Sequence, residues 1–327
     1  MTVPIVTIFG GSGFIGRYVA QRMARAGWRV RVAVRRPAEA YFVRPYGVVG
    51  QVEPVQANIR DEASTRRAIA GADAVVNCVG VLAEAGPQTF EALMHEGAGR
   101  IARIAAEEGV PRLVHVSAIG ADPESDSRYA AAKGRGEAAV RAGFPGAVIL
   151  RPSIVFGTED QFFNRFAAMA RLSPVLPLVG ADTRFQPVYV DDVAAAAATA
   201  AQGDGEPGVY ELGGPEVASF RELMRRMLLI IRRRRLIVAL PWAVAGLIGW
   251  GSDLTRRLTW GLVAGPLTGD QVRQLARDNV VAPGARGLAD LGVTPTPMQA
   301  VLESYLYAYR PAGQYTEIQE SALRARP

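Results

Sequence analysis

The only lysine in the chain, Lys133, stands four residues after Tyr129 in the run Tyr-Ala-Ala-Ala-Lys; the other 36 of the 37 basic side chains are arginines. Residues four apart on a helix share a face, so this spacing brings a phenol and an ammonium together. Ser117, twelve residues before the tyrosine, ends an apolar alternating stretch. A hydroxyl, a phenol and an amine grouped in this way can polarise a carbonyl, pass a proton and hold a ribose, the ammonium lowering the pKa of the phenol. A chain so biased towards arginine keeps a lysine where a compact ammonium on a thin stem is needed. A single leftover surface lysine is the bland alternative, and a tyrosine four residues before it is an uncommon coincidence.

A second group does not depend on side-chain chemistry. The run Gly10-Gly11-Ser12-Gly13-Phe14-Ile15-Gly16 follows an apolar stretch and opens a helical one, so two glycine patterns overlap there. One glycine allows a tight turn, one lets backbone amides approach a diphosphate, and the last lets helix and strand pack closely. The diphosphate then meets the positive end of the following helix. The second apolar stretch ends in Arg35-Arg36, with no acid to accept from ribose hydroxyls. Two guanidinium groups suit a ribose 2′-phosphate, so the expected ligand is NADP(H), with Asn58 and Ile59 flanking the adenine.

These groups need a scaffold, and the periodicity supplies one. Strands are predicted at 4–9, 29–34, 52–57, 74–79, 112–117 and from 147, with helices between them at 14–26, 61–70, 89–108 and 129–142. Strand and helix alternating with short links indicate an α/β fold, a Rossmann-type doubly wound parallel sheet. Beyond Arg151 the rhythm loosens into a smaller, mainly helical part: helices at 161–171, 191–201 and 220–231, and short strands at 187–190 and 209–212. We divide the chain into a nucleotide-binding domain, 1–150, a C-terminal region completing the fold, 151–311, and a polar tail, 312–327.

Apolar residues make up 49% of the chain, which rules out global disorder. One cysteine, Cys78, allows no internal disulfide, and two histidines make a histidine zinc site unfavourable, so no metal is expected. Cys78 and His115 lie inside apolar strands and read as core residues; Asp191-Asp192 is expected to cap the amides of its own helix. The opening residues read as a first strand, not a secretory leader. The apolar run 236–251 is too short and too broken to span a membrane. Charge is concentrated: between Arg221 and Trp260 nine arginines face Glu222 and Asp253, beside apolar sequence holding Trp242, Trp250 and Trp260. Arginine beside tryptophan suits a docking segment, 221–260, on protein or on anionic lipid headgroups. A helical cap over a substrate pocket is the alternative. No nucleic-acid-binding pattern is present.

Together the glycine run, the Ser117/Tyr129/Lys133 set, Arg151-Pro152-Ser153 and the stretch Phe185 to Ala194 resemble the extended and atypical short-chain dehydrogenase/reductase superfamily. Arg151 to Ala167, the apolar segment from Leu240 and Pro266 to Val281 look like the nucleotide-binding accessory subunits of respiratory complex I (NADH:ubiquinone oxidoreductase) in their bacterial form. The resemblance implies NADPH held as a structural ligand, and a cofactor set comprising the glycine run, Arg35, Arg36, Asn58, Ile59, Cys78, Val79, Gly80, Ser117, Tyr129, Lys133, Pro152 and Ile154. It implies a peripheral place on the cytoplasmic face of the bacterial inner membrane, among the peripheral-arm subunits near the quinone site. The competing expectation is a free-standing NADP-dependent reductase or epimerase using Ser117, Tyr129 and Lys133.

Overall fold

The structure, a computed structural model, describes residues 3–258 and 268–315. Its first half alternates β1 (Ile5–Phe9), α1 (Phe14–Arg25), β2 (Arg29–Val34), β3 (Val52–Gln56), α2 (Glu62–Ile69), β4 (Ala74–Asn77), α3 (Glu96–Glu107), β5 (Leu113–Val116), α4 (Arg128–Gly143) and β6 (Val148–Pro152). Then come β7 (Val155–Phe156), α5 (Phe163–Leu172), β8 (Val175–Val179), β9 (Arg184–Phe185), β10 (Val188–Tyr189), α6 (Val190–Gln202), β11 (Gly208–Leu212), β12 (Ala218–Ser219) and α7 (Phe220–Ile230). The described chain ends with β13 (Leu236–Leu240), α8 (Trp242–Leu258), α9 (Gly269–Leu275) and α10 (Met298–Leu306).

Seven strands form one parallel sheet in the order β11-β6-β5-β4-β1-β2-β3. The chain winds outward from β1 to β3, then crosses back to place β4 on the other side of β1. This reversal opens a crevice at the carboxyl ends of β1 and β4, the place where open α/β sheets take ligands. β4 and β5 are buried along their whole length, as strands covered on both faces must be. On one face Val6 and Ile8 pack with Val19 and Met23 of α1 and the alanines of α6. On the other, Phe9, Val75 and Leu113 pack with residues of α2, α3 and α4. A third core, around Phe156, Phe163, Phe220 and Leu223, joins α5, α7 and α10.

This is the doubly wound sheet expected from the sequence, and the differences from expectation are local. The helix expected from residue 89 starts with a π-helical turn, Glu91–His95, before α3. There α4 comes so close that a Cβ on Gly136 would lie 2.0 Å from the Met94 carbonyl oxygen. Gly136→Ala is therefore expected to cost about 1–3 kcal/mol by forcing the helices apart. A urea titration reads this directly, and an unchanged midpoint would show that the contact carries no weight. The segment Pro37–Tyr46, for which no element was expected, forms 3-10 turns. The apolar run 236–251 divides at Pro241 into β13 and the start of α8, proline having no amide for a ladder and a φ suited to a helix start. Among the described residues no helix is long and apolar enough to cross a membrane.

Asp191 and Asp192 do not cap their own helix through their side chains. The N-cap position, Tyr189, makes no side-chain cap bond. Asp191 accepts two hydrogen bonds from the Arg22 guanidinium, at 2.7 and 2.8 Å, and so joins α6 to α1. Asp192, buried, accepts from the amide and hydroxyl of Thr296 at 2.7 and 2.8 Å; burial pushes its carboxyl above the ordinary range. Both charges still stand in the first turn of α6, where the helix dipole favours them, but their oxygens are used across the fold.

Candidate nucleotide site

The glycine run turns between β1 and α1 at the crevice. Gly10 has φ +71°, and a Cβ there would lie 3.2 Å from the Cys78 carbonyl carbon and oxygen. Gly16 has no room at all: a Cβ would sit 2.3 Å from the Gly10 carbonyl oxygen. Gly13 is different. Its backbone is in an ordinary extended conformation, and an added Cβ would meet only the Gly10 carbonyl oxygen, at 3.1 Å. Gly10 and Gly16 thus make the turn possible, while Gly13 keeps its outer side bare. No side chain caps α1, so the first-turn amides carry the positive end of the helix dipole towards the crevice.

Arg17 was not singled out in the sequence, although it directly follows Gly16. Its guanidinium lies along the turn, donating to the carbonyls of Ser12 at 3.2 Å and Gly13 at 3.3 Å, and pairs with Glu159 at 3.2 Å. It also stacks on Phe42, 5.0 Å from the ring centre. Within the turn the Gly10, Gly11 and Gly13 amides donate to the carbonyls of Ala33, Ile8 and Gly10, so the amides turned to the crevice are those of the first turn of α1.

Arg35 and Arg36 follow β2 and are exposed. Arg36 is engaged by Glu39 at 2.9 Å, whereas Arg35 has no ion-pair partner among the described residues. Asn58 builds the turn into α2, its carbonyl accepting from the Asp61 amide at 2.8 Å and its side-chain oxygen from the Arg60 amide at 3.2 Å. Ile59 is 6% exposed and fills the space that a Cβ on Gly97 would take. Cys78 and Val79 are half-buried and Gly80 exposed after β4; Pro152 is buried at the end of β6, with Ile154 half-buried just beyond.

Ser117 directly follows β5, and Tyr129 and Lys133 stand on α4. Lys133 is 4% exposed and donates to the Val116 carbonyl at 2.9 Å. A Cβ on Gly80 would lie 3.6 Å from its Nζ, so the ammonium sits against the loop after β4. Burial draws its pKa down to about 8, against an upward pull from Glu137 and Cys78. Ser117 Oγ is buried without a hydrogen-bond partner among the described residues. Such a group costs free energy and fits a polar ligand atom brought to it. Tyr129 packs edge-on against Phe90 at 5.7 Å. Burial pushes its phenol up to about 12. Here the expectation that Lys133 lowers the phenol's pKa is not met: the ammonium is held on the Val116 carbonyl and does not offset the desolvation.

His115 lies beneath this group, 1% exposed, its Nδ1 3.1 Å from the Asn77 amide nitrogen. Asn77 Oδ1 accepts from the Val79 amide, so the Asn77 nitrogen donates, Nδ1 accepts, and Nε2 carries the ring proton. Desolvation first and Lys133 second lower its pKa to about 3. The ring stays neutral in the folded chain while an unfolded histidine charges near 6.5, so the unfolded state binds more protons between these values. Stability should fall by up to about 1.4 kcal/mol per pH unit as pH drops from 6.5 towards 3. Comparing melting temperatures of wild type and His115→Gln at pH 7 and 5 checks this; parallel losses in the two proteins would refute it.

The basic-apolar segment exposes several large apolar side chains. Among the described residues β13 pairs with β8 alone, as a two-stranded parallel sheet. Leu229, Leu236 and Leu247 are 78%, 65% and 68% exposed, with Trp242 and Val244 beside them. Arg233 and Arg235 brace the segment, donating to the carbonyls of Tyr309 and Ala170 at 2.9 and 2.7 Å; Arg225 and Arg234 are exposed. Trp260, the side chains of Trp250, Arg256 and Arg257, and residues 316–327 of the expected tail lie outside the described residues. No group of residues that could hold a metal ion occurs among the described residues.

A reversing parallel sheet with a glycine turn at its switch point defines a class of protein. The chain belongs to the NAD dependent epimerase/dehydratase family, whose pattern its residues 6–213 match. Over nearly its whole length it is also similar to a particular kind of member. It is 35% identical over 316 residues to the mitochondrial NADH dehydrogenase (ubiquinone) 1 alpha subcomplex subunit 9 of Arabidopsis thaliana, covering 94% of this chain and 79% of that one. This bears out the resemblance to complex I accessory subunits. Over a shorter stretch, 191 residues, it is 35% identical to the ceramide reductase of Caulobacter vibrioides, covering 58% of this chain and 59% of that one. Among solved structures, the NADPH-dependent quinone oxidoreductase QOR2 of Escherichia coli, complexed with NADPH, shares the fold: TM-score 0.69 and 19% identity over 92% of this chain and 98% of that one.

Proposed function

We propose that this chain is an NADP(H)-binding accessory subunit of respiratory complex I that holds its nucleotide as a structural ligand. The observation that carries the reading is the similarity to the plant complex I subunit, which runs past the family's own 6–213 match through the basic-apolar segment and α9. In this reading the first-turn amides of α1, at the end of the 10–16 glycine turn, bind the diphosphate, Arg35 and Arg36 the 2′-phosphate, and Asn58 and Ile59 flank the adenine. Cys78, Val79, Gly80, Pro152 and Ile154 line the nicotinamide half. Lys133 holds the adjoining ribose, and Ser117 and Tyr129 offer hydroxyls to the nicotinamide end. The basic-apolar segment 221–260 docks on neighbouring subunits of the peripheral arm near the quinone site, or on anionic headgroups, at the cytoplasmic face of a bacterial inner membrane.

A nicotinamide dinucleotide supplies hydride chemistry when bound, and a second reading rests on this. The orphaned Ser117 hydroxyl and the likeness to a reductase favour a free-standing NADP-dependent reductase or epimerase in which Ser117 polarises a carbonyl and Tyr129 gives the proton. Tyr129, its phenol pushed up by burial, is protonated at neutral pH and could give that proton to the carbonyl oxygen. Purification from native membranes separates the two. Under the first reading the chain migrates with complex I and oxidises no NADPH alone; a chain that elutes free and reduces added carbonyl compounds belongs to the second.

A further inference from the structure

The first turn of α4 carries Tyr129, and it has no acidic residue of its own. The negative charge at this helix N-terminus comes from Asp270, at the start of α9. Asp270 Oδ1 accepts from the Arg128 amide at 2.7 Å; Oδ2 accepts from the Tyr129 amide at 3.2 Å and from the hydroxyl of Ser127, the helix N-cap, at 3.1 Å. Gln274, one turn further along α9, donates to the same carboxylate at 3.0 Å, and Arg273 lies 3.7 Å from it. The carboxylate is 13% exposed. Charge-assisted bonds of this kind are short and strong, and they join segments 141 to 143 residues apart.

The segment holding Asp270 touches two other places. At its start, α9 lies so close to α8 that a Cβ on Gly249 would be 3.0 Å from the Gly269 nitrogen and Cα. At its end, Asn279 Oδ1 accepts from the Ser153 hydroxyl at 2.7 Å and the Ile154 amide at 3.0 Å, just past the end of β6. One stretch of chain therefore connects α8, the backbone of Tyr129 and the rim of the crevice beside Pro152 and Ile154.

We infer that Asp270 is a positioning residue, fixing the first turn of α4 from the C-terminal segment and so linking the seating of α8 to the hold on the nucleotide. The inference rests on the nucleotide reading above. By linkage the effect runs both ways: whatever fixes α8 tightens the nucleotide, and nucleotide steadies α9. Changes at Asp270 replace none of the side chains proposed to grip the ligand.

The experiment measures NADPH dissociation constants of the full chain for wild type, Asp270→Asn, Asp270→Glu and Gly249→Val, with melting temperatures and amide hydrogen exchange. Asp270→Asn should bind about ten-fold more weakly, a loss of about one charge-assisted bond, and Asp270→Glu should recover part of it. Gly249→Val, which alters no residue proposed to touch the nucleotide, should weaken binding in the same direction. Saturating NADPH should slow exchange in α9 as well as at Arg128 and Tyr129. If Asp270→Asn unfolds, the exchange of wild-type α9 and the affinity of Gly249→Val decide. Wild type that binds no nucleotide defeats the nucleotide reading itself. Wild type that binds, with unchanged affinity in the variants or an α9 indifferent to NADPH, overturns this inference alone.

Discussion

Replacing Arg151 with alanine is expected to destabilise the chain by about 3–5 kcal/mol, because it leaves a buried carboxylate without its partner. That carboxylate is Glu137 on α4, 1% exposed and held by Arg151 of β6 through two hydrogen bonds of 2.8 and 2.7 Å. Glu211 of β11 stands 3.5 Å from the same guanidinium, so one arginine joins α4, β6 and the edge strand of the main sheet. Glu137 is also the acid four residues beyond Lys133, and it pulls the lysine's pKa upward. Arg151→Ala should therefore lower the urea midpoint strongly, whereas the double change Arg151→Met with Glu137→Leu should recover much of the loss by removing the stranded charge together with its partner. Equal midpoints for wild type and Arg151→Ala would mean that the pair contributes nothing.

The second large effect falls on binding and spares the fold. Gly13→Val puts a branched side chain on the outer side of the phosphate turn, where the backbone is in a conformation any residue adopts and the nearest internal atom is the Gly10 oxygen at 3.1 Å. The fold should lose no more than about 1 kcal/mol. The bare approach to the first-turn amides of α1 is blocked, and dinucleotide affinity should fall by about 100-fold or more, about 2.7 kcal/mol. Gly16→Ala should fail differently, unfolding the turn, since its Cβ would stand 2.3 Å from a backbone oxygen. Isothermal titration with thermal melts separates the two cases. A Gly13→Val protein that binds as wild type does would remove the turn from the site.

What could be read from the sequence was local. Periodicity of two and of about 3.6 marks strands and helices wherever one face is buried, and the alternation of the first 150 residues gave the sheet. The strand at 208–212 could be seen too, but its place beside β6 could not, because the partners in a parallel ladder leave no mark in the intervening sequence. Spacing put Tyr129 and Lys133 on one helix face, as the fold has them; it could not show that the ammonium turns to the Val116 carbonyl. The Asp191-Asp192 pair looked like a cap because capping is a local event, while its partners, Arg22 and Thr296, lie 169 and 104 residues away. Asp270 was hidden for the same reason. Arg17 was within reach, since it directly follows the glycine run whose Ser12 and Gly13 carbonyls it bonds.

The reading as a whole turns on a dinucleotide bound at the β1–α1 turn. The most direct measurement is to denature the chain as purified within its native membrane complex and quantify the released nucleotide by mass spectrometry. We expect close to one NADP(H) per chain. A chain empty of dinucleotide that also takes up none when offered NADPH, or one carrying only NAD(H), would contradict the account.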